Sequence, residues 1–114
     1  MSKKKENKPT SFVYESFTWT INWFEKTGPN VDAFGTTDTD RKIINIYSDN
    51  LPSCVAKEVL HHELEHVIME NVMDMFNNEK SISHNEELQV RVISPRRFML
   101  MRENPHLFEY LYRY

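Results

Sequence analysis

From Phe17 to Trp23 the chain alternates, with Phe17, Trp19, Ile21 and Trp23 apolar and Thr18, Thr20 and Asn22 polar. A period of two built from aromatic and β-branched residues predicts a half-buried strand, because successive side chains point to opposite faces. Phe12 to Tyr14 extends this strand or leads into it. Lys26 to Asn30 breaks the pattern as a turn, and two short runs follow, Val31 to Thr36 and Lys42 to Tyr47. The polar stretch Thr37 to Arg41 between them predicts a hairpin, with Ile44 and Ile46 on one face. Ser48 to Ser53 ends the second run and supplies Asn50 and Ser53 as candidate helix caps, with Pro52 tolerated in a first turn.

The helix expected from Ser53 to Met75 carries Val55, Val59, His62, His66 and Met73 along one side, so the two histidines continue an apolar stripe expected to face the interior. Leu60, Leu64, Val67 and Ile68 widen that surface. Asn77 to Ser81 reads as a polar loop. A second helix is expected from Ser83–Glu87 through Val90, Val92 and Ile93 toward Pro95. Arg96 to Arg102 and His106 to Tyr112 are also helical in pattern, interrupted at Asn104-Pro105. The fold class is therefore α+β: a small antiparallel sheet of about three strands packed on the long helix, followed by further helices.

At 114 residues the chain suits one domain. Residues 11–114 are expected to form it, behind a flexible basic tail, 1–10, that carries Lys3, Lys4, Lys5 and Lys8. An apolar content of 39% and a formal charge of -3 fit a folded protein and argue against a nucleic-acid binder held by electrostatics. No apolar run reaches the ~18 residues of a membrane span, and no apolar stretch follows the basic start to make a secretory signal. Cys54 is the single cysteine, which excludes an internal disulfide and points to a reducing compartment, the cytoplasm. It is expected to be a small buried or half-buried apolar residue. Gly28 and Gly35 are both expected at bends.

The candidate chemistry lies in His62-Glu63-Leu64-Glu65-His66. Residues four apart share a helix face, so both imidazoles can bind one ion while Glu63 takes a proton from the water that the ion activates. Imidazoles on an apolar stripe also need a polar partner, and a metal is one. Catalytic zinc takes three protein ligands. Met69 and Val72 exclude the extended three-histidine variant, and the next candidates lie downstream in Ser83-His84-Asn85-Glu86-Glu87-Leu88. Glu87 is the favoured third ligand, Glu86 the alternative, and His84 ranks third or serves as an oxyanion or substrate contact, a role also open to Tyr47. The strand Ile43 to Tyr47 is expected to align the substrate backbone. His61 pairs with Glu65 at four-residue spacing, Glu65 is expected to face solvent, and Asp74 is a candidate to orient a ligand histidine.

The runs Ala33 to Asp38, Arg41 to Ile46, Leu60 to Val67 and Asn85 to Leu88 resemble the minimal zincin metallopeptidases of phages and mobile elements, distant relatives of the ImmA/IrrE-type and SprT-like groups. The resemblance covers roughly residues 17 to 100, and its strongest motif is His62 to His66. It implies a small sheet on the motif helix, one zinc ion and hydrolysis of a peptide or protein substrate, in a host cytoplasm if the gene is a phage's. On it, His62 and His66 match the zinc ligands, Glu63 the catalytic glutamate and Glu86 or Glu87 the third ligand. Two other classes compete with this reading: a catalytically inactive zincin-like module that acts by binding a protein, and a metal-free structural protein with a histidine-bearing core.

Overall fold

The computed structural model describes residues 8–25, 34–48, 51–75 and 89–113. Four strands, β1 (Ser11–Tyr14), β2 (Phe17–Trp23), β3 (Gly35–Asp38) and β4 (Ile43–Ile46), form one sheet in the order β1-β2-β4-β3. The α+β class is as expected, but the sheet is mixed rather than antiparallel and has one strand more. Phe12 to Tyr14 is a strand in its own right, turned back on β2 at Glu15-Ser16, with Phe12 opposite Trp19. β4 runs parallel to β2 and antiparallel to β3, so the expected hairpin folds inward between β2 and the outer strand. Burial explains this order. Ile44 and Ile46 of β4 are fully buried and belong at the centre, whereas Gly35-Thr36-Thr37-Asp38 is the polar run suited to an edge. Thr37 therefore lies in a strand rather than in the turn where its polarity placed it.

The register sorts the sheet's two faces. Phe12, Tyr14, Trp19, Ile21, Ile44 and Ile46 turn inward, and Gly35 and Thr37 share their face through their pairings with Ile46 and Ile44. The outer face carries Thr18, Thr20, Asn22, Asn45 and Thr36, with Asn22 donating to Asn45 at 3.1 Å and Asn45 donating to Thr36 at 3.3 Å. Such a one-sided sheet needs a cover, and α1 (Ser53–Met75) supplies it with Ala56, Leu60, Leu64, Val67, Ile68 and Val72. The bounds of α1 are those expected from Pro52 and the apolar spacing.

Beyond α1, a single π-helical turn at Gln89–Ile93 runs into α2 (Ser94–Glu103), and α3 (Pro105–Tyr112) follows. Pro95 opens α2 rather than ending the helix before it, because a proline's missing N–H does no harm in a first turn. Asn104 breaks α2 from α3, since the residue before a proline is kept out of the helical region. Within the expected tail, Pro9 and Thr10 dock on the sheet: Pro9 O accepts from Trp23 Nε1 at 2.8 Å, and Thr10 O from Ile21 N at 2.9 Å. Cys54 is exposed in the first turn of α1, not buried as expected. That turn precedes Ala56, where the buried face begins. Among the described residues no helix is long and apolar enough to cross a membrane.

Candidate metal and peptide site

α1 brings the pentad together, though not in the orientation that its apolar spacing implied. The buried stripe runs through Leu60, Leu64, Val67 and Ile68, and Glu63 lies on it at 5% exposure. His62 and His66 lie off it and are exposed. One hundred degrees per residue accounts for the exchange: a stripe centred on Leu60, Leu64 and Val67 takes in position 63 at one flank, while 66 and, farther round, 62 fall on the outward side. The histidine Nε2 atoms are 3.0 Å apart, with the rings nearly perpendicular. Two imidazole nitrogens on one tetrahedral zinc lie about 3.3 Å apart, so the pair fits such an ion with a small opening. The ligand atoms of His62, Glu63 and His66 all lie within 4.8 Å of one another.

Glu63 is held from the sheet. Thr37 Oγ1 donates to Glu63 Oε1 at 2.6 Å, which leaves Oε2 without a hydrogen bond among the described residues. Gly35 makes room for this carboxylate. A β-carbon built there would lie 2.9 Å from Val59 Cγ1, 3.0 Å from Glu63 Cγ and 3.1 Å from Glu63 Oε2. Gly35 thus opens a strand at a close approach, not a bend, while Gly28 lies outside the described residues. Thr37 was not singled out as a site residue in the sequence. The available signal was the glycine opening the Gly-Thr-Thr run, since glycine in a strand often marks a close backbone approach.

An open cleft of about 700 Å³ lies beside the pentad, lined among others by Phe34, Gly35, Val59, His61, His62 and Glu65. Its sheet wall is β3. Tyr47 N donates to Phe34 O at 2.7 Å. By the alternation of an antiparallel ladder, Gly35 and Thr37 then turn their N–H and C=O groups away from β4, to the edge where no described strand pairs. The strand expected to align a substrate, Ile43 to Tyr47, cannot do so, because β4 is paired on both sides. The opposite edge is closed. Asn104 Oδ1 accepts from Val13 N at 2.8 Å, Asn104 Nδ2 donates to Val13 O at 2.7 Å, and His106 Nε2 donates to Ser11 O at 2.7 Å.

Glu65 does not simply face solvent. Arg97 of α2 donates to it from Nε at 2.8 Å and from Nη2 at 2.5 Å, and this fork holds the carboxyl below its ordinary range despite partial burial. The expected His61–Glu65 pair is secondary to Arg97. The Tyr47 ring stacks on Phe24 at 5.4 Å, and Tyr47 does not line the cleft. His84, Glu86 and Glu87, the expected third ligands, lie outside the described residues, as does the side chain of Asp74. Compared with known protein families, with curated proteins and with solved structures, the chain matches none.

Proposed function

We propose that this chain is a minimal zinc-dependent peptidase of the zincin kind, working in a cytoplasm on a peptide or protein substrate. The observation that carries the reading is the convergence of two exposed imidazole nitrogens, 3.0 Å apart, beside a buried carboxylate on one turn of α1. His62 and His66 would hold the ion, with Glu87 or Glu86 as the third ligand. When bound, zinc supplies Lewis acidity, which brings the pKa of a water from 15.7 toward about 7. Glu63 then accepts the proton at Oε2 while Thr37 keeps Oε1 fixed, and passes it to the leaving amine. The backbone groups of Gly35 and Thr37 that turn away from β4 would pair with an extended substrate, placing its scissile carbonyl over the histidine pair. That β1 is capped, while no described strand pairs with the outer side of β3, supports this use of the edge.

The burial of Glu63 favours a second reading, in which its carboxylate only fastens α1 to β3 and the chain is an inactive metal-binding module that acts by binding a protein. One experiment separates them. Glu63→Gln should retain one zinc per chain and lower peptide turnover by about 10²–10⁴-fold, the usual contribution of a general base. His66→Ala should lose the zinc. Full turnover by Glu63→Gln would refute the mechanism. Zinc binding without turnover in the unaltered chain would favour the binding module.

A further inference from the structure

The two histidines belong to a longer row on α1. Glu58, His62, His66 and Glu70 follow one another at four-residue steps, each one turn, about 6 Å, from the next along a gently inclined line. All four are exposed. Residues at this spacing have Cβ atoms about 5–6 Å apart, close enough for their side chains to meet. A carboxylate therefore flanks the imidazole pair at either end, Glu58 toward the start of α1 and Glu70 toward its finish. Glu58 also lines the cleft together with His62.

The direction of the ring nitrogens gives these carboxylates a use. The Nε2 atoms of His62 and His66 face each other at 3.0 Å. The two nitrogens of an imidazole diverge about the carbon between them, so each Nδ1 turns away from the space between the rings, that of His62 to the side of Glu58 and that of His66 to the side of Glu70. The rings are nearly perpendicular, so the two N–H directions differ, but a glutamate side chain has the rotatable bonds to follow either. Neither Nδ1 has a hydrogen-bond partner among the described residues, and neither Glu58 nor Glu70 has an ion pair or hydrogen bond there. The neighbouring acids of α1 are engaged elsewhere, Glu63 with Thr37 and Glu65 with Arg97. The nearby helix carbonyls are already bonded in the ladder of the helix.

A histidine that holds a metal through Nε2 donates its Nδ1–H to a carboxylate, a backbone carbonyl or water, which fixes both the tautomer and the ring direction. We propose that Glu58 and Glu70 are the positioning residues of the histidine pair, Glu58 accepting the Nδ1–H of His62 and Glu70 that of His66, so that both Nε2 lone pairs are presented to one divalent ion. The inference rests on the metal site of the peptidase reading but not on its chemistry, because a zinc-binding module without activity would use the same two carboxylates.

The test measures zinc affinity of the full chain by competition with a chromophoric chelator, beside imidazole NMR of the zinc-loaded protein. Glu58→Gln and Glu70→Gln keep side-chain length and helix propensity at exposed positions, so thermal stability without metal should match the parent. Each should weaken zinc binding about 10-fold, within the roughly 10–100-fold range for loss of an outer-shell partner. Removing a nearby charge alone would also weaken binding, but salt screens that effect, so the deficits should persist in about 0.5 M sodium chloride. Glu58→Gln should move the Nδ1–H signal of His62 and leave that of His66 in place, and Glu70→Gln should do the reverse. Glu103→Gln, at an exposed position outside the row, should change neither affinity nor signals. Parent-like affinity in both single variants, deficits that vanish in salt, or Nδ1–H signals indifferent to the substitutions overturn the positioning role. Cleavage of a degenerate peptide library separates the two ideas. The expected zinc and NMR effects without cleavage sink the peptidase and leave the positioning role standing. Cleavage with zinc affinity indifferent to Glu58 and Glu70 sinks the positioning role alone. Failure of the unaltered chain to bind zinc sinks both.

Discussion

At the scale of single residues, the site depends on how closely β3 approaches α1, and Gly35 sets that approach. In a strand, alanine ordinarily stabilises relative to glycine, by restricting the unfolded chain. Here the added methyl would lie 2.9 Å from Val59 Cγ1 and 3.0 Å from Glu63 Cγ. Neither neighbour can give way: a helical valine has one strongly preferred rotamer, and Glu63 is tied to Thr37 at 2.6 Å. Gly35→Ala should therefore destabilise the fold by about 1–3 kcal/mol, an overpacking cost, measured by urea denaturation. A variant as stable as the parent would show that the strand can recede. The pentad itself was legible in the sequence because a four-residue spacing on a helix is local. Its inward and outward faces were misjudged, because the stripe was drawn through the histidines, whereas the buried side runs through Leu60, Leu64, Val67 and Ile68, which lie largely opposite them on the helix. Thr37 was invisible for a different reason: its partner is 26 residues away, and nothing in a polar stretch says which helix it will touch.

At the scale of elements, the two edges of the sheet differ among the described residues: Asn104 caps β1, and no described strand pairs with the outer side of β3. An unpaired strand edge invites another chain, and the Asn104 amide answers that at β1 by bonding both the N–H and the C=O of Val13 while also donating to Leu100 O at 2.8 Å. Asn104 is buried, so water cannot replace these bonds without rearrangement. Asn104→Ala should cost about 3 kcal/mol and promote self-association through β1. Denaturation and sedimentation velocity read the two effects. Unchanged stability together with unchanged mass would mean that the cap is incidental. The same elements show where sequence reading works. The limits of α1, and the break between α2 and α3 at Asn104-Pro105, follow from rules that act within a few residues. The parallel pairing of β2 with β4 does not, since it depends on which of two outer strands is apolar enough to be central. Ile44 and Ile46 against Thr36 and Asp38 decide that only once all the strands are compared.

At the scale of the molecule, α1 is held against the sheet by its apolar face and against α2 by the Glu65–Arg97 fork, and the second of these is sensitive to acid. Arg97 holds the Glu65 carboxyl below its ordinary 4.5, through hydrogen bonds first and charge second. A carboxylate whose folded pKa is depressed adds stability that is fully present above its unfolded value and is lost as pH falls through the folded one. The pair is about a third exposed on each side, so solvent screens it, and its contribution belongs with the modest surface pairs rather than the buried ones. Glu65→Gln removes the titration but keeps most of the shape. Denaturation midpoints of the two proteins should differ at neutral pH, with the parent more stable, and the gap should hold down to about pH 4.5 and close below it. A gap that persists at pH 2, or one that closes near pH 6, would assign the stabilisation to some group other than Glu65. Because Glu65 lies between His62 and His66 in the sequence, losing the fork should also loosen the turn that presents them, so that, on the proposed metal site, the Gln variant should bind zinc more weakly at neutral pH.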